Sequence, residues 1–248
     1  MEIILFIIGA FIGILSGFFG IGGGTVLVPI LLLLGFGMKE AVGISITQMV
    51  FSSIYGSYLN IKKGSLALSE GLFVGLGGFL GGYLSSYFTP YVPEKVLQFT
   101  FLAFVIFAII KVALSKPHTD ESLSKTLPKP LLFLIGAGIG IVAISIGVGG
   151  SIILVPLLSG LLHYPIKKAV SAGLFFVVFS SVAGFLGRIL HTGLNLKAGI
   201  IVGVGSLIGV WIGIWLKEKI STHHHKRFIV GMYSVILLLM VYKMFFAK

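Results

Sequence analysis

Two glycine clusters hold the groups best suited to chemistry in this chain. The first, Gly17-Phe18-Phe19-Gly20-Ile21-Gly22-Gly23-Gly24-Thr25-Val26-Leu27-Val28-Pro29, returns about half a chain later as Gly147-Val148-Gly149-Gly150-Ser151-Ile152-Ile153-Leu154-Val155-Pro156. Gly20, Gly22, Gly23, Val28 and Pro29 are matched by Gly147, Gly149, Gly150, Val155 and Pro156. Gly22-Gly23-Gly24 removes every side chain over nearly one turn, so a helix should open there and resume at Thr25. The first N–H groups of the resumed helix, at the positive end of its dipole, suit an anion. The anion-binding candidates are therefore Gly22, Gly23, Gly24, Thr25, Gly149, Gly150 and Ser151, with the Thr25 and Ser151 hydroxyls as caps or extra donors. Pro29 and Pro156 fall in the first or second turn of the resumed helices and shape them. The plainer use of the glycines is a tight turn between packed helices, and their duplication argues against it.

Polar side chains inside apolar runs are the next candidates. Gln48 stands out among Ser45, Thr47, Ser52 and Ser53: a neutral amide donates to an oxyanion without a buried full charge, although an interhelical hydrogen bond is equally open to it. The serine pairs Ser52-Ser53 and Ser180-Ser181 are expected to bond back to their own helices. Arg188 lies near a span end and aligns with Asn60; it is expected to snorkel to the interface, or else to attract or gate anions together with Asn60. All seven carboxylates fall in loops or at span ends, which leaves a mid-membrane cation or proton site without a counter-charge and favours an anion. His163 and His191 are loop residues by default. His223-His224-His225 lacks the spacing of a zinc ligand set, Asp120 is the only aspartate, and no nucleophile elbow occurs. No enzyme, metal site or cofactor is expected.

These groups need elements to hold them. Spanning a bilayer takes roughly 20 helical residues, and apolar runs of about that length occur near Ile3–Phe19, Ala41–Leu59, Gly71–Phe88, Val96–Leu114, Leu131–Ile146, Ala169–Leu190, Ala198–Leu216 and Phe228–Phe246. Two shorter pieces, Thr25–Leu34 and Ile152–Leu162, reach half way. The expected fold is all-α and polytopic: two homologous repeats, 1–115 and 131–248, joined by a polar basic linker, 116–130, with about eight transmembrane helices and two glycine-interrupted re-entrant half-helices. The alternative is ten spans with inverted repeats. With eight spans, Lys62-Lys63 and the stretch Arg188 to Lys197 fall on the same side as the linker, whereas Lys167-Lys168 and Lys226-Arg227 do not fit. Small-xxx-small rows such as Gly9-Gly13-Gly17 and Gly205-Gly209-Gly213 imply close helix packing, internal or at a homodimer face.

Composition supports a lipid setting. The chain is 57% hydrophobic and 10% charged, with a mean hydropathy of +1.13. Its net charge of +11 does not imply nucleic acid, because the basic residues sit between apolar runs instead of forming one hydrophilic face. Absence of cysteine removes thiol chemistry and disulfides.

At the two glycine motifs the chain resembles the sulfite exporter TauE/SafE family, also called the four-toluene-sulfonate uptake permease family. The resemblance rests on Gly17 to Thr25 with Pro29, the copy Gly147 to Pro156, the length, and the basic linker between equivalent halves. It implies a multi-pass protein of the prokaryotic inner membrane that moves sulfur-containing anions such as sulfite, sulfoacetate and related organosulfonates. The second copy departs from the first in carrying Ser151 in place of Gly24. Alternating access between the repeats is the expected mechanism; an anion channel and a non-transporting membrane scaffold are its rivals.

Overall fold

The computed structural model describes residues 1–64, 68–114, 127–160, 162, 166–191 and 194–246, leaving aside the side chains of 68–70, 160, 166–167 and 222–226. Most of the expected linker, His163 and the side chains of Lys167 and His223 to His225 therefore lie outside the described residues. What is described is helical almost throughout: α1 (Glu2–Phe19), α2 (Gly24–Leu33), α3 (Met38–Lys62), α4 (Leu68–Phe88), α5 (Glu94–Leu114), α6 (Lys129–Ser145), α7 (Ser151–Gly160), α8 (Ile166–His191), α9 (Leu196–Lys219) and α10 (Thr222–Phe245). Each apolar run expected from the sequence is one of these helices. The short α2 and α7, at 10 residues each, rise about 15 Å.

Within the described residues, five helices are long and apolar enough to cross a membrane: α1, α5, α8, α9 and α10. Their outer faces are apolar, with Ile7 and Phe11 on α1, Trp211 on α9 and Leu238 on α10 exposed, while Thr25, Gln48, Ser151 and Lys217 are buried. Water would penalise that distribution and lipid favours it. The protein is an all-helical, polytopic membrane protein.

Glycine rows set how the helices pack. Gly9, Gly13 and Gly17 of α1 face the backbone of Val202, Ser206 and Val210 of α9 in that order, so the two helices run parallel. Gly77 and Gly81 of α4 meet Phe133 and Ala137 of α6, also in parallel. These rows serve packing inside the chain, where loss of the side chain lets backbones touch. Further, Gly199 and Gly203 of α9 meet Thr47 and Phe51 of α3, just as Gly71 and Gly75 of α4 meet Phe175 and Phe179 of α8. By contrast α3 and α8 run in opposite directions, since Gly43 approaches Arg188 while Gly56 approaches Leu174.

One expectation is corrected here. Lys62-Lys63 and the stretch Arg188 to Lys197 do not share a side: Lys63 Nζ pairs with Glu218 at 2.8 Å beside the end of α9, whereas Asn195 Nδ2 donates to Glu40 Oε1 at 2.9 Å beside the start of α3. Those contacts mark opposite ends of the 25-residue α3. The reason is the path of α1 and α2. After Gly17 has reached the level of Val210, the turn comes back to Ser45, Gln48 and Met49 at the middle of α3, and α2 carries the chain on toward the start of α3. Thus α1 and α2 form a hairpin that begins and finishes at one end of the bundle.

The close approach of α1 and α9 gives a contrast that can be measured. A Cβ at Gly209 would lie 2.6 Å from the Ile14 amide nitrogen, whereas one at Gly138 would meet nothing within 4 Å. Gly209→Val is expected to destabilise the protein by about 1–3 kcal/mol through overpacking. Gly138→Ala is expected to be neutral or stabilising by up to about 1 kcal/mol. Thermal unfolding of the detergent-purified variants checks both.

Candidate anion site at the paired helix breaks

The helix breaks are built alike. α1 ends on Gly20, whose N–H bonds to Ser16 O at 2.8 Å, and the chain then turns through Gly22 and Gly23. Gly23 has φ 91° and Gly150 has φ 92°, left-handed conformations that side chains with a Cβ resist. Val26 and Leu27 N–H both donate to Gly23 O, and Ile153 and Leu154 N–H both donate to Gly150 O. The amides ahead of them, at Gly24, Thr25 and Ser151, belong to the helix starts and have no intrahelical acceptor.

Both turns lie against the middles of α3 and α8. Met49 Sδ would be 3.3 Å from a Cβ on Gly22 and 2.7 Å from one on Gly149, and Val177 touches both positions from the other side. Ser52 Oγ donates to Gly22 O at 3.0 Å and Ser180 Oγ donates to Gly149 O at 2.9 Å. The expected bonds back to their own helices are also present, Ser52 Oγ to Met49 O at 3.4 Å, Ser180 Oγ to Phe176 O at 3.3 Å and Ser181 Oγ to Val178 O at 3.4 Å, and the shorter bonds to the turns add to them. The Ser52 and Ser180 hydroxyls satisfy a carbonyl that the left-handed turn has exposed, a need stronger than a second bond within an already bonded helix.

Gln48 borders the first turn, with Oε1 at 2.8 Å and Nε2 at 3.0 Å from the place of a Gly23 Cβ. Gly150 has Phe176 in the corresponding position. Gln48, Thr25 and Ser151 are each fully buried, and Gln48 Oε1 and Nε2, Thr25 Oγ1 and Ser151 Oγ have no hydrogen-bond partner among the described residues. Leaving each such group unsatisfied costs about 1–3 kcal/mol. Nε2 and the two hydroxyls are donors, and the positive ends of the α2 and α7 dipoles lie at the breaks. The structure sets Gln48 against Gly23 and the two turns side by side on Met49 and Val177. Pro29 and Pro156 are in the second turns of α2 and α7, away from the breaks.

Arg188 and Asn60 lie elsewhere and apart from each other. Arg188 does not snorkel: it is 5% exposed, and its Nη1 donates to Lys39 O at 3.2 Å where the end of α8 packs on the start of α3. Gly43 lies alongside, and a Cβ there would come within 2.9 Å of Leu194 Cδ2. Asn60 is buried at the other end of α3, where its Oδ1 accepts from Lys217 Nζ at 2.8 Å and from Ser171 Oγ at 3.4 Å.

The profile of the sulfite exporter TauE/SafE proteins matches residues 5–240. The chain belongs to the TauE/SafE family. A probable membrane transporter protein of Methanocaldococcus jannaschii is 26% identical over 254 residues, covering 96% of this chain and 94% of its own. The probable membrane transporter proteins YdhB and YunE of Bacillus subtilis are 23% and 22% identical, with 82% and 89% of this chain covered and 84% and 90% of their own. No solved structure gives a significant match.

Sequence reasoning overlooked one residue of this TauE/SafE protein, Lys217, which is 2% exposed. Within Trp215-Leu216-Lys217-Glu218-Lys219 it reads as an ordinary helix-end charge. Its helical phase was the available signal, because Lys217 continues the buried row Gly205-Gly209-Gly213 at the same spacing.

The two serine hydroxyls that hold the turns yield a symmetric prediction. Ser52→Ala and Ser180→Ala should each lower stability by about 0.5–1.5 kcal/mol. Thermal unfolding in detergent measures this, and a loss confined to one of them would show that the turns are held differently.

Proposed function

We propose that the chain is a carrier of small sulfur-containing oxyanions, sulfite or an organosulfonate such as sulfoacetate, across the prokaryotic cytoplasmic membrane. One observation carries the reading: Gln48, Thr25 and Ser151 are buried without partners where two short helices start. The backbone amides of Gly22 to Thr25 and Gly149 to Ser151 replace part of the anion's hydration shell, while Gln48 and the two hydroxyls choose among oxyanions. Sulfite comes from the family description; the related transporters' names give no substrate.

Alternating access follows from two inverted repeats. The first repeat comprises α1 to α5 and the second α6 to α10, joined by the basic linker; equivalent helices such as α3 and α8 run oppositely, and equivalent glycines make equivalent contacts. In each repeat the first two helices form a re-entrant hairpin and the other three cross the bilayer. Rocking of one repeat against the other then exposes the central site to each side in turn. Lys62, Lys63, Lys111, Lys129, Lys168, Lys217, Lys219 and Arg227 stand at the end that bears the linker, against Lys39, Lys95, Arg188, Lys197 and Lys243 at the other. This basic excess supports a cytoplasmic linker end. Lys167-Lys168 and Lys226-Arg227, which do not fit an eight-span path, fit this one.

Thermal stability of the purified protein with sulfite, sulfate, thiosulfate, sulfoacetate, taurine or chloride tests the site, because a ligand of the folded state stabilises it by about 2.7 kcal/mol at a hundredfold excess over its Kd. One sulfur anion should stabilise selectively, and the effect should vanish in Gln48→Leu and Gly23→Val; a flat profile would overturn the reading. Saturating, counter-flow-sensitive flux separates a carrier from a channel. For orientation, the cysteine-free chain allows single thiols: Gly64→Cys should react only from the cytoplasmic side and Gly37→Cys only from outside.

A further inference from the structure

The two ends of the bundle each hold one buried cation, supplied by different helices. At the outer end Arg188 of α8 lines a cavity of about 540 Å³ together with Lys39, Glu40, Thr89, His191 and Asn195. At the linker end Lys217 of α9 is buried, its Nζ donating to Asn60 Oδ1 at 2.8 Å and to Ser171 Oγ at 3.1 Å. In the repeat correspondence Asn60 takes the place of Arg188, Ser171 that of Gly43, and Lys217 that of Thr89. Three equivalent positions thus form a cavity at one end and a bonded cluster at the other. An ammonium in a membrane helix is costly to bury, and such groups mark pathways for ions.

A polar row runs along α3 from this cluster toward the level of the central site. Ser57 and Asn60 follow Ser53 on one face at spacings of four and three residues, while Gln48 lies one turn earlier on another face. All four are buried, and the Ser53 and Ser57 hydroxyls, like the Gln48 amide, have no hydrogen-bond partner among the described residues. Hydroxyls left unsatisfied in a packed interior signal a route that takes up water or a polar solute in another state.

We propose that Lys217 is the anion-binding group of the linker-side mouth, the counterpart of Arg188 at the outer mouth, and that Asn60 and Ser171 hold its ammonium while that mouth is closed. When the mouth opens, Lys217 exchanges these neutral partners for an oxyanion passing along the Ser53–Ser57 track, and the charge-assisted bond to the anion replaces the two it gives up. The structure corresponds to the outward-open state, with the cavity at Arg188 open and the cluster at Lys217 closed. This inference rests on the transport reading above.

The test is sided sulfite and sulfoacetate flux in right-side-out and inside-out vesicles. Loss of one charge-assisted bond predicts about a tenfold rise in half-saturating concentration. Lys217→Gln, which keeps a donor for Asn60, should show that rise only when the anion is offered from the linker side; Arg188→Gln should show it only from the outer side. Lys217→Arg should restore the Lys217→Gln defect, and Lys219→Met should behave as wild type. Should Lys217→Gln fail to accumulate, Asn60→Asp serves instead: a carboxylate would hold the ammonium and slow flux while keeping the side-chain volume. Unchanged kinetics in Lys217→Gln, or an equal rise from both sides as a purely structural defect would give, overturns the proposal. If Gln48→Leu abolishes flux and Lys217→Gln leaves it intact, this inference alone fails; if wild type carries neither anion, the transport reading fails with it.

Discussion

The structure depends on two broken helices meeting in the middle of a membrane bundle. An interrupted backbone in that setting exposes N–H and C=O groups that lipid cannot satisfy, and the protein answers with paired devices. Ser52 and Ser180 take the carbonyls of Gly22 and Gly149, while α3 and α8 enclose the turns with Met49 and Val177. What these devices leave over is the interesting remainder: amides at two helix starts, one carboxamide and two hydroxyls, all buried. Because the carbonyls of Gly22 and Gly149 are bonded and the helix-start amides have no intrahelical acceptor, the breaks retain donors, and the proposed anion site draws on these.

The glycine rows follow from the same constraint. A turn at the centre can be held only if the helices carrying it cannot drift, and in lipid the available force is close van der Waals contact. α1 is held by α9 and α6 by α4, each through glycines that let backbones touch. Each helix bearing a break therefore leans on a helix from the opposite half, so the two halves are interlocked instead of merely adjacent. In the proposed rocking, each half would carry the other half's broken helix along with it.

Much of this was legible in the sequence. The helix positions and the breaks at Gly22-Gly23 and Gly149-Gly150 were readable, because glycine clusters and apolar length act locally. The path of the chain was harder. Whether a short helix after a break returns or continues decides the direction of everything downstream, and nothing within Thr25 to Leu34 encodes that choice. Lys217 was overlooked and Arg188 misread for a related reason. A charge near a helix end looks solvated until the partner helix is known, and the Lys39 carbonyl that accepts from Arg188 is far away in the chain. The serines' bonds to their own helices were readable, but not their bonds to the turns, since the carbonyls of Gly22 and Gly149 become acceptors only after the turns form.

The halves differ at one place where the difference is reciprocal. Ser45 Oγ donates to Gly147 O at 2.7 Å beside Gly24, whereas in the second half Ser151 stands where Gly24 would be and Gly173 stands where Ser45 would be. A Cβ on Gly173 would come within 3.2 Å of Ser151 Cβ. Each pair thus holds one side chain and one glycine, in opposite order in the two halves. The two positions of each pair therefore share one space, so that a residue added at Gly24 or Gly173 presses on the serine that faces it.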